Sequence, residues 1–133
     1  MNWKKGLITG VIAGIVLNVL SFLFMGLPWM SAFYAQMFPQ MVSAGGFFWM
    51  ILSMFLIGLF MGLIYSIVNE SIPGKGFRKG LRYGFIVWLL AGIMWPVMMI
   101  GFAPVIVWIS ELLIDLILYL VTGMVVVKVY GKE

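Results

Sequence analysis

Four stretches of the chain run almost without a polar break: residues 6–27, 47–68, 81–100 and 105–127. Each is about 20 residues or slightly longer, the length a helix needs to cross the hydrocarbon core of a bilayer. A membrane segment must satisfy its own backbone hydrogen bonds, so these stretches are expected to be helices. The alternating pattern of a membrane barrel strand is missing. A fifth pattern lies between the first two spans. Trp29, Met30, Phe33, Tyr34, Met37, Phe38 and Met41 recur at helical spacing, with Ser31, Gln36 and Gln40 in the gaps. Pro28 suits a helix start and Pro39 a stop. This predicts a short amphipathic helix over about residues 29–38, lying on the outer face against lipid, bundle or a partner. The expected fold is an all-α membrane protein: an antiparallel four-transmembrane-helix bundle, one integral membrane domain over residues 1–133, with a short outer interfacial helix.

Composition agrees. The chain is 65% hydrophobic and 9% charged, more apolar surface than a soluble domain of this size can hide. Its net charge of +4 is better explained by topology than by nucleic acid. Lys4 and Lys5 precede the first span. Lys75, Arg78, Lys79 and Arg82 lie around the second connection, and Lys128 and Lys132 follow the last span. Residues 28–46 and 101–104 carry no charge. The positive-inside rule therefore predicts both termini in the cytoplasm of a plasma (cell inner) membrane protein. Aromatic belts follow the same axis, with Trp3, Tyr65, Tyr83 and Tyr130 inside and Trp29, Tyr34, Trp49 and Trp108 outside. Residues 1–5 resemble the start of a signal peptide. The apolar run after them exceeds the usual length of roughly 7–15 residues, and no small-residue cleavage site follows, so a retained helix is expected. Lys75, Arg78, Lys79 and Arg82 could hold anionic lipid head groups, at about 1 kcal/mol each; their plainer role is to set topology. Gly74-Lys75 lacks the upstream glycine and the strand context of a phosphate-binding loop.

The chain contains no Cys and no His, which removes disulfides, thiol nucleophiles and Cys/His metal sites. The polar chemistry that remains is sparse. Glu111 and Asp115 sit one turn apart in the last span, without a basic residue beside them. An acid at bilayer depth costs roughly 2.5–3.5 kcal/mol on insertion scales and normally faces the protein interior. If each span's midpoint marks the bilayer centre, Asp115 and Asn18 fall near it, and Glu111, Ser21 and Ser53 about 7 Å outward. This predicts an intramembrane polar cluster of Asn18, Ser21, Ser53, Glu111 and Asp115, joined by the Trp95 indole and continued inward by Tyr119 and Thr122. With at least one acid protonated, the cluster can act as hydrogen-bonding glue between helices. The alternatives are a proton or cation site and an ion pair with a basic residue of another subunit.

Small residues mark the helix contacts. Gly6, Gly10 and Gly14 are four apart with Asn18 on the same line; Gly58 and Gly62 repeat the spacing, and Gly80, Gly84 and Gly92 share a face with Trp88 and Pro96. Such stripes let helices approach closely. Residues 79–89, KGLRYGFIVWL, resemble the glycine-rich third helix of small four-helix membrane proteins of the "domain of unknown function 1761" kind. Residues 120–124, LVTGM, are similar to their last helix, and Asn2-Trp3 to their start. The resemblance implies a four-helix membrane fold and no activity.

No nucleophile–base pair and no cofactor motif is present, and an acid pair without an aqueous cleft does not suit sugar hydrolysis. The expected function is thus non-enzymatic and cofactor-free. It is a small polytopic protein whose partner is the lipid bilayer, packing as a homo-oligomer or as an accessory subunit of a larger membrane complex. The alternative is a proton- or cation-coupled carrier of a small solute using Glu111 and Asp115.

Overall fold

The computed structural model describes residues 1–131, and within them the chain is helical, with no strand. In chain order the elements are α1 (Trp3–Met25), α2 (Pro28–Met37), a 3-10 turn (Pro39–Val42), α3 (Ala44–Val68), a second 3-10 turn (Asn69–Ser71), α4 (Gly76–Val87), a π-helical segment (Trp88–Gly92), α5 (Met94–Met99) and α6 (Val105–Tyr130). Four helical stretches are long and apolar enough to cross a membrane: Trp3–Met25, Ala44–Ser71, Gly76–Met99 and Val105–Tyr130.

The helices begin earlier than the apolar runs because polar residues cap them. The Asn2 side chain accepts from the Lys5 N–H at 3.1 Å, and the Ser43 hydroxyl from the Gly46 N–H at 3.2 Å. Each satisfies an N–H that the first turn leaves without a helical partner. At the other end α6 runs three residues past the apolar stretch, to Tyr130.

The third span departs most from expectation. It is not one regular helix. Pro96 has no N–H, and its ring would press on the carbonyl of Gly92 in a continuous α-helix. The chain widens there instead: Trp88–Gly92 forms a π segment, with the Ile93 N–H bonded to the Trp88 carbonyl at 2.9 Å. Such bulges are a usual cause of helix distortion and often accompany functional sites.

Glycine stripes bring the long helices together in pairs. A Cβ added at Gly10 would lie 2.6 Å from the Leu59 carbonyl oxygen, and one at Gly80 would lie 2.5 Å from the Met124 Cα. Backbones this close leave room for hydrogen only. The contacts run in opposite order along each pair. Gly6, Gly10 and Gly14 meet Ser66, Leu59 and Phe55, while Gly80 and Gly84 meet Met124 and Tyr119. The Tyr83 hydroxyl ties the pairs, donating to the Met61 carbonyl at 2.6 Å. Tyr65 completes this end, with ring centroids 5.0 Å from Tyr83 and 5.2 Å from Tyr130.

At the opposite end α2 lies against the bundle. It buries Met30, Phe33 and Tyr34 and leaves Ser31 and Gln36 exposed. The Trp29 indole fastens its start to α6, donating to the Ser110 hydroxyl at 3.0 Å.

Candidate functional site

Below α2 the side chains do not fill the space between the helices. A partly open cavity of about 270 Å³ remains, lined from every long helix and from α2. Ser21 comes from α1, Met30 and Tyr34 from α2, and Met50 and Met54 from α3. Trp95 comes from α5, and Glu111, Asp115, Leu118 and Tyr119 from α6. The glycines at which helix backbones meet, Gly6, Gly10, Gly14, Gly80 and Gly84, lie outside the cavity lining, and the helices part here. Among the described residues no basic side chain lines the cavity.

Both acids face this space, and their surroundings differ. Glu111 accepts a hydrogen bond from the Tyr34 hydroxyl. The Tyr34 oxygen in turn accepts from the Trp95 indole N–H at 2.9 Å. Burial first, then the neighbouring Glu111 charge, pushes the Tyr34 phenol well above its ordinary range, so it stays a donor. The chain Trp95–Tyr34–Glu111 therefore has one direction and fixes α2 over the cavity. Asp115, one turn deeper, has no such partner among the described residues; the Glu111 carboxyl and the Tyr119 phenol are near enough to interact with it through space. Charge-assisted hydrogen bonds are about twice as strong as neutral ones. Their absence at Asp115 leaves an acid with unused binding capacity.

Ser21 is a second unfulfilled group on the cavity wall. Its residue is 8% exposed, and its hydroxyl has no hydrogen-bond partner. Other helical hydroxyls turn inward to their own backbone: Ser53 donates to the Trp49 carbonyl at 2.7 Å, Ser110 to Ile106 at 2.5 Å and Thr122 to Leu118 at 2.7 Å. Ser21 does not.

The predicted polar cluster is thus only partly assembled. Ser21, Glu111 and Asp115 share the cavity, and Trp95 and Tyr119 line it. Asn18 does not join them. Its amide donates to the Gly14 carbonyl at 3.1 Å and across the helix contact to the Ile51 carbonyl at 3.2 Å. Ser53 points to the exposed side of α3. Rotation about the helix axis turns both side chains away from the cavity. Tyr34 is the residue that sequence reasoning missed, being read as an interfacial aromatic. Its position among Met30, Phe33 and Met37 was the available signal for a buried face.

The basic group at the second connection is also corrected. Arg78, Lys79 and Arg82 belong to α4 rather than to a loop. Lys79 is buried, with its Nζ 5.9 Å from the centroid of the Tyr65 ring. Arg82 donates to the Pro73 carbonyl at 2.6 Å. Lys75 and Arg78 stay exposed and available to a head group.

No metal-binding group of three or more His, Cys, Asp or Glu side chains occurs among the described residues. Comparison with known proteins gives no relative: no family model, curated protein or solved structure matches the chain.

Proposed function

We propose that this is a non-enzymatic multi-pass membrane protein, an antiparallel four-helix bundle that carries a small solute in exchange with protons or cations. The membrane setting is supported by where the apolar side chains lie. Helix α1 buries Gly6, Thr9, Gly10, Ala13 and Gly14, and exposes Leu7, Ile8, Val11, Ile15 and Val19. In water each exposed large side chain forgoes about 1.5–3 kcal/mol of burial; against lipid tails it forgoes little. Small residues inside and large ones outside is the pattern by which helices pack in a bilayer. The opposite chain order of the glycine contacts in each helix pair supports the antiparallel arrangement.

The orientation proposed from the basic residues has a direct test. The chain contains no cysteine, so single cysteines at Ser43 and Ser71, both exposed, report their own side. They are expected to react with impermeant maleimide from opposite sides, Ser71→Cys only from the cytoplasm. Labelling of Ser71→Cys from outside intact cells contradicts the orientation.

The observation that carries the carrier reading is Asp115: a cavity-facing acid in a potential span, with no hydrogen bond and no cation beside it among the described residues. Intramembrane acids of this kind mark proton and ion pathways. Four helices are few to enclose a pathway, so a dimer is the proposed working unit. An accessory place in a larger complex is the competing function, and a partner's Lys or Arg beside Asp115 would mark it. The experiment is flux in proteoliposomes of the purified protein. A pH gradient is expected to drive uptake or release of a small solute. No flux of protons, Na⁺, K⁺ or small amines at any pH overturns the reading.

A further inference from the structure

We infer that the cavity binds a small protonated amine with an apolar body, its ammonium N–H groups shared between the Asp115 carboxylate and the Ser21 hydroxyl. This rests on the proposed function and deepens it. The first support is Ser21, which is more than nine-tenths buried on the cavity wall with an unpaired hydroxyl oxygen. A buried polar atom left unpaired is costly, so a ligand that pairs with it recovers that cost. The second is charge. Glu111 already accepts from Tyr34, and Asp115 accepts from no described residue. One uncommitted carboxylate suits one positive charge. A divalent metal ion would want six or more oxygens, or an octahedron with its own waters, which two carboxylates a turn apart in an apolar pocket do not offer.

The third support is the wall. Met30, Met54 and Leu118 give apolar surface, and Trp95 and Tyr119 give aromatic faces. Aromatic faces attract cations through the ring quadrupole, and methionines adapt to irregular ligands. The volume of about 270 Å³ lies just below the range of roughly 300–1,000 Å³ for drug-sized ligands. That favours a single-ring or short-chain amine. Bare Na⁺ would leave the apolar wall without a role.

The test is isothermal titration calorimetry of the full chain in lipid nanodiscs, with empty nanodiscs to subtract partitioning. The probes are 2-phenylethylamine, its N-trimethyl derivative and propylbenzene, which keeps the shape without the charge. The wild type is expected to bind 2-phenylethylamine saturably and propylbenzene no better than empty nanodiscs do. Asp115→Asn is expected to weaken 2-phenylethylamine by about tenfold or more. Ser21→Ala is expected to weaken it by about tenfold too, and to leave the trimethyl derivative, which has no N–H to share, unchanged.

Equal binding of propylbenzene, or no saturable binding of 2-phenylethylamine, overturns the inference, and neither result depends on a variant folding. Equal loss of both ammonium probes in Ser21→Ala assigns that residue to packing and overturns its role. Proton or Na⁺ flux by a wild type that ignores 2-phenylethylamine refutes the ammonium site and leaves the carrier reading standing. Saturable amine binding without any flux does the reverse.

Discussion

Gly10→Leu is expected to leave little folded bundle in detergent, while Gly45→Ala leaves it intact. At Gly10 a first side-chain carbon already falls 2.6 Å from the Leu59 carbonyl oxygen and 2.7 Å from the Leu59 Cα. Those are backbone atoms of a facing helix and cannot swing aside as a side-chain tip would. Overpacking a tight core costs typically 1–3 kcal/mol, and separating two backbones costs more, so about 3 kcal/mol or above is expected. The loss spreads beyond the contact, because Asn18 bonds to Ile51 across the same pair of helices. At Gly45 nothing lies within 4 Å of an added Cβ, and alanine is the better helix former by about 1 kcal/mol. Thermal unfolding followed by size-exclusion chromatography separates the two. A Gly10→Leu protein as stable as wild type would show that α1 and α3 do not meet along this stripe.

Asp115→Asn is expected to abolish pH-driven solute flux while the protein folds as before. The amide keeps the size and hydrogen-bonding reach of the acid and cannot release a proton. No described residue relies on the Asp115 carboxylate as a hydrogen-bond partner, so its replacement leaves no group stranded. Stability should change by less than the roughly 0.6–2 kcal/mol of an interhelical hydrogen bond. Glu111→Gln has a different expected signature. The glutamine oxygen can still accept from Tyr34, so α2 stays docked, and flux survives with a shifted pH profile because neighbouring acids titrate as a pair. Proteoliposome flux and thermal stability, measured together on both variants, check this. Normal flux with Asp115→Asn would contradict the assigned role.

The parts of this molecule that were legible in its sequence are those governed by one dimension. Continuous apolar runs marked the four long helices, and glycines four apart marked the faces by which they meet. The ends were harder, since Asn2 and Ser43 extend two helices by capping and contribute nothing to an apolar count. Pro96 was visible, but a proline does not declare whether a helix will kink, break or widen, and here it widens into a π segment. The site was the least legible because it depends on rotation. Asn18 and Ser21 are three residues apart, near enough to share a face on a helical wheel. The structure nevertheless gives Asn18 to the backbone of α3 and Ser21 to the cavity. Tyr34 required knowing that α2 folds back on the bundle, a long-range fact that local periodicity does not contain.

The central claim is that Asp115 faces an open cavity rather than a sealed contact or lipid. Thiosulfonate reagents react with thiolates, which form where water reaches the sulfur, and in a chain without cysteine one introduced thiol reports one place. The comparison is Asp115→Cys against Ile117→Cys, the latter on the exposed apolar side of α6. Both are reconstituted in liposomes and treated with 2-aminoethyl methanethiosulfonate, whose charged end is itself an ammonium. The expected result is rapid modification of Asp115→Cys and no modification of Ile117→Cys. An Asp115→Cys thiol as inert as that of Ile117→Cys would contradict the account.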